Sequence, residues 1–583
     1  MANQIFSVNG PVVKVRNTSD FAMMEMVYVG EHHLVGEVIA VNDYEVTIQV
    51  YEATTGLSPG EPVVSSGGPQ SVLLGPGLLG NIFDGIERPL REMMQEHGSY
   101  VAIGGQHSAL DNVRLWSMTP LVKVGDELEE GSIFASCPET LLIEHRLMLP
   151  PNLAGRVIKI APAGEYTIND ILLEIEDKQG NIHQLNATQS WPIRMSRPVS
   201  QRLTMHRPLI TGQRVIDTFF PIAKGGTAAI PGGFGTGKTM TQHQLAKWCD
   251  ADIIVYIGCG ERGNEMTQVL QEFSELTDPK SGRPLMERTI LIANTSNMPV
   301  AAREASIYTG VTLAEYYRDM GYHVAIMADS TSRWAEALRE ISGRLEEMPA
   351  EEGFPAYLPS RIAQFYERAG EVQTLCGRDG SISIIGAVSP QGSDFSEPVT
   401  QNTKRYVRCF WGLDKALAYA RHYPAINWIS SYSEYHEDLA AYYSQHVDRR
   451  FGDFRKRLAA ILQEEARLME TVKLVGADVL PDEQRLIIEV ARIIRVGFLQ
   501  QNAFHAQDTY VPLAKQLQMM EVILLFEQEA KLAVGRHYPL ARLIQTGLGE
   551  KIIRMKYEID NEDTEKIPAL LAEISSTFAS LTA

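Results

Sequence analysis

The sequence has few cysteines, and none of them form a closely spaced pair. The five, Cys137, Cys249, Cys259, Cys376 and Cys409, lie far apart in a chain of 583 residues. Because disulfide scaffolds and zinc ribbons need cysteines at short, regular spacings, both classes are excluded. The pattern is typical of a protein that folds in a reducing compartment.

Long apolar runs and an excess of basic charge are also missing. No stretch reaches the roughly 18 apolar residues of a membrane-spanning helix, so the sequence predicts none. The segment 1–10 has neither a basic region nor an apolar core, and we expect no secretory signal. Lys and Arg number 53 against 72 Asp and Glu, a formal net charge of -19. This acidic balance disfavours a protein that works on nucleic acid.

What is present is an ordered change of pattern along the chain, which predicts a multidomain α/β protein. Residues 1–70 show short strand patterns broken by turns and predict an N-terminal β-barrel. Residues 71–114 form a connecting segment, and 115–190 predict an inserted β domain. Buried strands alternate with helices over 191–435, which indicates a parallel sheet covered by helices. Residues 436–583 show helical spacing and predict a C-terminal helical domain.

A glycine-rich segment, 232–239, fits the pattern GxxxxGK(S/T). It follows a short predicted strand at 227–230 and precedes a helical pattern. Glycines let backbone N–H groups surround phosphate oxygens, Lys238 supplies charge to the β- and γ-phosphates, and Thr239 offers a hydroxyl to Mg²⁺. The predicted nucleotide-binding residues of this segment are Gly233, Phe234, Gly235, Thr236, Gly237, Lys238, Thr239 and Met240.

Two carboxylates follow predicted strands of the parallel sheet. Asp329 ends an apolar run that starts at His323, a suitable place for a residue that holds Mg²⁺ through water. Glu261 follows the strand 252–258 through what we interpret as a Gly-Cys-Gly turn, and is a candidate to orient or deprotonate water. Open α/β sheets keep their sites at the carboxyl ends of their strands, which favours both residues.

Two arginines lie beside these carboxylates. Arg262 is a candidate contact of the γ-phosphate, and Arg333 is a candidate partner of Glu261 or of phosphate. Spacing alone leaves open that each is a solvated surface residue, since exposed arginines commonly pair with nearby acids.

Aromatic residues near the C-terminal part are candidates for a slot that holds adenine. Tyr423 precedes a proline, and Phe504 lies in the segment 500–504, which also contains the candidate Gln501. From spacing alone, aromatic residues of this kind are more often part of the core.

Longer motifs carry a resemblance to a known family. The segment 207–217, RPLITGQRVID, resembles the α/β superfamily of rotary ATPase subunits, and 424–433, PAINWISSYS, fits its signature. Within that superfamily, the segments 48–52, 55–63 and 389–398 and the inserted β domain resemble the catalytic A-type subunits of prokaryotic V-type and A-type ATPases. The resemblance covers essentially the whole chain. It implies a β-barrel, a RecA-like core with the glycine-rich phosphate loop (P-loop), and a helical C-terminal domain.

The resemblance also implies roles. Lys238 and Thr239 would hold phosphate and Mg²⁺, Glu261 would activate water, and Arg262 would bind the γ-phosphate. Arg333 matches an arginine of the family's site. Tyr423 and Phe504, with Gln501 beside them, would hold adenine of ATP or ADP.

The family's assembly is implied as well. Three copies would alternate with three B subunits in an A3B3 hexamer around a central rotor stalk, with peripheral stalk subunits outside. The loop 479–485 resembles the acidic loop that meets the rotor. The chain would lie on the cytoplasmic side of a membrane, bound to it only through the complex, and would couple ATP hydrolysis or synthesis to H⁺ or Na⁺ transport.

Three other functions share the same core. A nucleotide-binding subunit without turnover is disfavoured, because Lys238, Thr239 and Glu261 are all present. A hexameric nucleic-acid motor would need a basic, aromatic-lined barrel, whereas residues 1–70 are acidic. A protein-export ATPase is the better alternative, but we would not expect it to carry the inserted β domain.

Overall fold

The computed structural model describes residues 3–16, 21–97, 104, 107–476, 479–562 and 565–582. Part of the predicted connecting segment 71–114 therefore lies outside the described residues. Where the chain is described, it has the multidomain α/β organisation that the sequence predicts.

The strands share the short lengths expected of barrels and of α/β sheets. In chain order they are β1 (Ile5–Asn9), β2 (Val12–Val15), β3 (Glu25–Val29), β4 (Leu34–Val41), β5 (Val46–Val50), β6 (Val63–Pro69), β7 (Ser71–Leu74), β8 (Ile82–Phe83), β9 (Trp116–Pro120), β10 (Glu127–Leu128), β11 (Ile133–Pro138), β12 (Glu144–Met148), β13 (Gly155–Ile160), β14 (Gly164–Tyr166), β15 (Leu173–Glu176), β16 (Ile182–Leu185), β17 (Gln189–Pro192), β18 (Gln201–Arg202), β19 (Thr227–Pro231), β20 (Ile253–Glu261), β21 (Thr289–Thr295), β22 (His323–Asp329), β23 (Gly370–Gln373), β24 (Asp379–Val388), β25 (Cys409–Phe410) and β26 (Tyr432–Ser433).

The helices lie mainly in the second half of the chain. In chain order they are α1 (Leu90–His97), α2 (Lys238–Trp248), α3 (Gly263–Glu275), α4 (Val300–Asp319), α5 (Thr331–Arg344), α6 (Leu358–Tyr366), α7 (Pro398–Tyr406), α8 (Lys415–Tyr419), α9 (His436–His446), α10 (Phe451–Val475), α11 (Asp482–Ile493), α12 (Leu513–Gly535), α13 (Leu540–Gln545), α14 (Leu548–Glu558) and α15 (Lys566–Thr582). Short π-helical segments lie at Val215–Phe219 and Ile494–Leu499, and 3₁₀ turns at Leu285–Arg288, Glu351–Gly353 and Gln391–Ser393.

The chain divides into two compact units. The first contains Met1–Thr204, Gly225–Thr227 and Ala251–Tyr406, and the second contains Met205–Lys224, Ala228–Asp250 and Val407–Ala583. Each is therefore built from several separate stretches of sequence, and each has its own core.

The first unit begins with a six-stranded antiparallel sheet, in the order β1-β2-β5-β4-β3-β6. Its inward-facing valines and isoleucines form one apolar cluster. The two ends of the sheet meet, because Ile5 N donates to Glu61 O at 2.9 Å and Val63 N donates to Asn3 O at 2.8 Å. The closed sheet confirms the predicted N-terminal β-barrel.

The inserted β region of the first unit consists of two four-stranded sheets. Their orders are β10-β13-β15-β16 and β12-β11-β9-β14. The next strand, β17, pairs antiparallel with β7, which lies in the predicted connecting segment.

A parallel sheet forms the centre of the first unit. It runs β24-β22-β20-β21-β8, and the pairs along it are parallel. The strand residues of β20 and β22 are almost all buried, as continuous apolar runs predict for a sheet covered on both faces. The edge strand β8 also lies in the predicted connecting segment and was not expected from the sequence.

The second unit combines a small sheet with a helical assembly. β19 pairs parallel with β25, which pairs antiparallel with β26. The predicted helices at 453–474, 482–501 and 511–532 correspond to α10, α11 and α12, although the second continues beyond Ile493 as a π-helical segment. α12 packs against α10, α11, α14 and α15.

The helices of the described residues do not meet the requirements of a bilayer span. Within the described ranges between residues 3 and 582, none is both long enough and apolar enough to cross a membrane.

Candidate functional site

The glycine-rich loop of the second unit connects β19 to α2. The strand ends at Pro231 and the helix begins at Lys238. Gly235 and Gly237 have φ angles of +76° and +91°. These angles lie in the left-handed region, which residues other than glycine adopt only with strain. Such turns gather backbone N–H groups into a concave anion site, and the start of α2 adds its dipole. The loop therefore has the conformation of a phosphate cradle.

Two side chains of this segment, those of Lys238 and Thr236, form hydrogen bonds within the loop, whereas that of Phe234 is exposed. Lys238 Nζ donates to the carbonyl oxygens of Gly232 at 2.8 Å and Gly233 at 3.1 Å. The hydroxyl of Thr236 is used within the loop, where it donates to Gly233 O at 2.8 Å. Phe234 instead is 81% exposed. Thr239 lies in the first turn of α2, next to Lys238.

A cavity of about 620 Å³ opens beside the loop within the second unit. Its lining residues include Gly235, Gly237 and Met240 of the loop and α2, together with Tyr423 and Phe504. Tyr423 is 44% and Phe504 is 88% exposed, so neither is a core residue. The volume is in the range of small-ligand pockets, and the aromatic rings suit a purine base.

Gln501 lines the same cavity, but its amide group is engaged within the protein. Its Oε1 accepts from Arg214 N at 2.9 Å, and its Nε2 donates to Gly212 O at 2.8 Å. Its backbone N also donates to Tyr423 O at 2.8 Å. The residue is 3% exposed, so its geometry is that of a tie between segments.

Arg214 is a structural residue of this region that spacing alone did not reveal. Its fully buried guanidinium pairs with Asp508 at 2.5 Å and donates to the carbonyl oxygens of Phe498 at 2.5 Å and Gln500 at 2.8 Å. Asp508 also accepts from the backbone N of Asn502 at 2.6 Å. Arg214 thus anchors the segment that carries Phe504. Its place in the 207–217 motif was the available signal.

The two candidate carboxylates lie in the first unit, at the carboxyl ends of neighbouring parallel strands. β20 ends at Glu261 and β22 ends at Asp329, and Gly258 is the register partner of Asp329. The predicted Gly-Cys-Gly turn before Glu261 is wrong. The strand continues instead through a β-bulge between Cys259 and Glu261, with Gly260 at φ +74°.

The electrostatics of this strand edge favour proton transfer. Burial is the main cause that raises the pKa of Glu261 to about 8, and the negative charges of Asp329 and Glu265 act in the same direction. Arg333 opposes them. Tyr256 donates its hydroxyl to Asp329 at 3.3 Å. Glu265 was not predicted, although its position four residues after Glu261 was a usable signal.

The two candidate arginines have different surroundings. Arg333 lies in α5 and donates to Glu336 at 2.8 Å. The side chain of Arg333 packs closely on the bulge, since a Cβ at Gly260 would lie 2.7 Å from Arg333 Cβ. Arg262 is exposed at the start of α3, directly after Glu261.

Comparison with known proteins decides which family these parts belong to. Over 576 residues, 99% of this chain and 98% of the relative, the chain is 58% identical to a V-type ATP synthase alpha chain of Halothermothrix orenii. It is 57% identical over 580 residues, 99% of this chain and 98% of the relative, to the A subunit of an A-type ATP synthase of Methanopyrus kandleri. The chain belongs to the V/A-type ATP synthase family.

Sequence models of the family's domains match along the chain. The beta-barrel domain of the ATP synthase alpha/beta family matches residues 5–67, and the barrel-sandwich domain matches 107–194. The nucleotide-binding domain matches 212–433, and the C-terminal domain of V and A type ATP synthase matches 440–542. The predicted family and the multidomain fold are confirmed.

A solved structure supports the fold alone. The assembled ATPase EscN of the type III secretion system of enteropathogenic E. coli aligns with a TM-score of 0.62 and 20% identity. The alignment covers 89% of this chain and 99% of that one. As a member of the V/A-type ATP synthase family, the chain is a catalytic A-type subunit, in which ATP synthesis or hydrolysis is coupled to ion transport.

Proposed function

We propose that the chain turns over Mg-ATP with the residues that its sequence singled out. The observation that carries this proposal is the GxxxxGK(S/T) loop, folded with left-handed glycines and opening beside a cavity of about 620 Å³ that two exposed aromatic rings line. A triphosphate on the loop and a base between Tyr423 and Phe504 match the two halves of ATP.

The phosphates are bound by the loop and the start of α2. Backbone N–H groups from Gly233 to Met240 donate to the negative oxygens, and Lys238 leaves its carbonyl partners to contact the β- and γ-phosphates. In this arrangement Thr236 keeps its hydrogen bond to Gly233 and supports the turn. Gln501 holds the base segment in place through its amide.

The donors for the metal ion fit Mg²⁺. Thr239 offers a hydroxyl, and Asp329 offers a carboxylate that would hold the ion through water. Hard oxygen donors of this kind, with substrate phosphates, are usual around Mg²⁺ in such enzymes. When bound, Mg²⁺ neutralises charge on the β- and γ-phosphate oxygens. ADP is held by the same residues after turnover.

The residues that act in ATP hydrolysis are Glu261, at the end of its strand, and the two arginines. Glu261 orients the attacking water and accepts its proton, a role that suits a carboxyl whose pKa burial raises. Arg262 contacts the γ-phosphate, and Arg333 balances charge beside Glu261. Positioning and charge neutralisation supply most of the acceleration in phosphoryl transfer to water.

The assembly follows the family. Three copies alternate with three B subunits in an A3B3 hexamer, around a central rotor stalk and with peripheral stalks outside. A B subunit supplies the arginine finger, so the chain alone is nearly inactive. The complex holds the chain at the cytoplasmic side of a membrane and transports H⁺ or Na⁺ across it. No nucleic acid is bound.

The test measures Mg-ATP hydrolysis by the chain alone, with its B partner, and with the partner after Glu261→Gln. We expect activity only on mixing and its loss in the variant. The matched control is Glu275→Gln, which changes an exposed carboxylate of α3 and leaves activity unchanged.

Activity that survives Glu261→Gln would remove the water-activating role from this residue. Binding of ATP without hydrolysis in every mixture would favour a nucleotide-binding subunit without turnover. A chain that hydrolyses ATP alone at the rate of the mixture would contradict the composite site.

A further inference from the structure

The base cavity has a wall that none of the proposed roles uses. The C-terminal end of α14, from the helical part of the second unit, reaches the cavity, and Tyr557 lines it together with Tyr423 and Phe504. Tyr557 is 36% exposed. A large aromatic side chain in this position adds apolar surface to a site that already has two aromatic rings.

Tyr557 is fixed by its contacts with the segment that carries Phe504. Its ring packs on that of His505, with centroids 4.7 Å apart and planes at 52°. A ring that is held in advance loses little conformational entropy when a ligand packs on it.

The neighbouring residue, Lys556, ties the end of α14 to the same segment. Its ammonium is buried and donates to Val496 O at 2.6 Å and Gln500 O at 3.1 Å. The Gln500 carbonyl also accepts from Arg214 Nη2 at 2.8 Å. Two buried cations from distant parts of the sequence thus bind one carbonyl beside the cavity.

We propose that Tyr557 is a third aromatic wall of the base site, which contacts the purine ring of the bound nucleotide, and that Lys556 is its positioning residue. The proposal rests on the proposed function, because the cavity is taken as the base site. Stacking of a base on one aromatic ring contributes about 1–3 kcal/mol, which is roughly a 5- to 150-fold change in affinity.

The experiment compares a nucleotide with a ligand that has no base. The affinities of ATP and of inorganic tripolyphosphate, each with Mg²⁺, are measured on the full chain and on the variants. We expect Tyr557→Ala to weaken ATP binding about tenfold and to leave tripolyphosphate binding unchanged. Tyr557→Phe keeps the ring and loses only the hydroxyl group, so ATP binding changes only about twofold.

The control is Tyr442→Ala. Tyr442 also stacks on a histidine, His446, with centroids 4.3 Å apart, but it lies in α9 and is not among the described residues that line the cavity. It should leave both affinities unchanged. If Tyr557→Ala changes the affinities of ATP and tripolyphosphate equally, or changes neither, the proposal that Tyr557 contacts the base is wrong.

The role of Lys556 is tested by the ratio of ATP affinity to tripolyphosphate affinity, which general destabilisation of the protein would not change. We expect Lys556→Met to lower ATP affinity relative to tripolyphosphate affinity, and Lys556→Arg to restore most of that ratio. Equal loss of both ligands would overturn the positioning role. Failure of the proposed function is separate, since it predicts that Lys238→Ala weakens both ligands whatever residue occupies 557.

Discussion

The cavity beside the glycine-rich loop of the second unit and the carboxylate edge of the first unit differ in how their charges are arranged. Around the cavity, buried charges are paired, as in Arg214 with Asp508, and the rings of Tyr423 and Phe504 are exposed. At the strand edge, burial raises the pKa of Glu261, and the nearby negative charges of Asp329 and Glu265 raise it further. The first arrangement suits binding and the second suits proton transfer, so the two functions should be separable by mutation.

The largest expected effect is the loss of turnover in Glu261→Gln. Because a positioned general base contributes about 10²- to 10⁴-fold, hydrolysis by the assembled complex should fall by that amount. ATP affinity should change little, since Glu261 is not among the described residues that line the base cavity. Steady-state rates and equilibrium binding of ATP check this. A parallel loss of affinity would show that the carboxylate edge also binds.

The second effect is the converse, a loss of binding in Lys238→Ala. A charge-assisted hydrogen bond contributes about 1.5–3 kcal/mol, so ATP affinity should fall roughly 10- to 100-fold. Lys247→Ala, on the same helix, is the matched control and should retain wild-type affinity. Equilibrium titration with ATP measures both. Unchanged affinity in Lys238→Ala would contradict the cradle.

The bulge of β20 gives a third test, which concerns stability. A side chain at φ +74° is strained by about 1–2 kcal/mol, and Gly260→Ala also places a Cβ 2.7 Å from Arg333 Cβ. Gly377→Ala is matched, because its φ is +79° and no atom lies within 4 Å of the added carbon. Denaturant unfolding should show the larger destabilisation for Gly260→Ala. Equal destabilisation by the two substitutions would mean that the bulge accommodates the added Cβ without a steric clash.

The last test concerns the dependence of stability on pH. The folded pKa of Glu261, about 8, lies above the ordinary value of 4.5, so the folded state binds the proton more tightly between these values. Its contribution to stability is present below about pH 4.5 and is lost as the pH rises through 8. Without Mg²⁺ or nucleotide, Glu261→Gln should therefore gain stability relative to wild type over this range. If the stability of the variant and that of wild type depended on pH in the same way, the raised pKa of Glu261 would be contradicted.

The sequence predicted the parts of the molecule that depend on local chemistry. The glycine pattern at 232–239, the apolar run that ends at Asp329 and the helical spacing of α10 each follow from neighbouring residues. These features have the positions that periodicity and turn chemistry indicate. The roles of the site residues, and the domain bounds, stay predictions.

The parts that the sequence did not predict depend on distant contacts. The bulge before Glu261 arises because β20 pairs with β21 in a shifted register, which a Gly-Cys-Gly string does not distinguish from a turn. The edge strand β8 has only two residues, too few for a period. Arg214 and Asp508 are separated by 294 positions, so no local pattern joins them.

The segment that carries Phe504 is anchored in large part through its main chain, beside the two bonds of the Gln501 side-chain amide. Carbonyl oxygens of Phe498 and Gln500 and the amide of Asn502 make the anchoring bonds, and these atoms are the same in every amino acid. The side chains of Ala503 and Phe504 make none of these bonds, so they can be exchanged without undoing the scaffold. This makes the segment a natural place for nucleotide preference to drift during evolution, and a convenient one for engineering a variant that accepts an altered base.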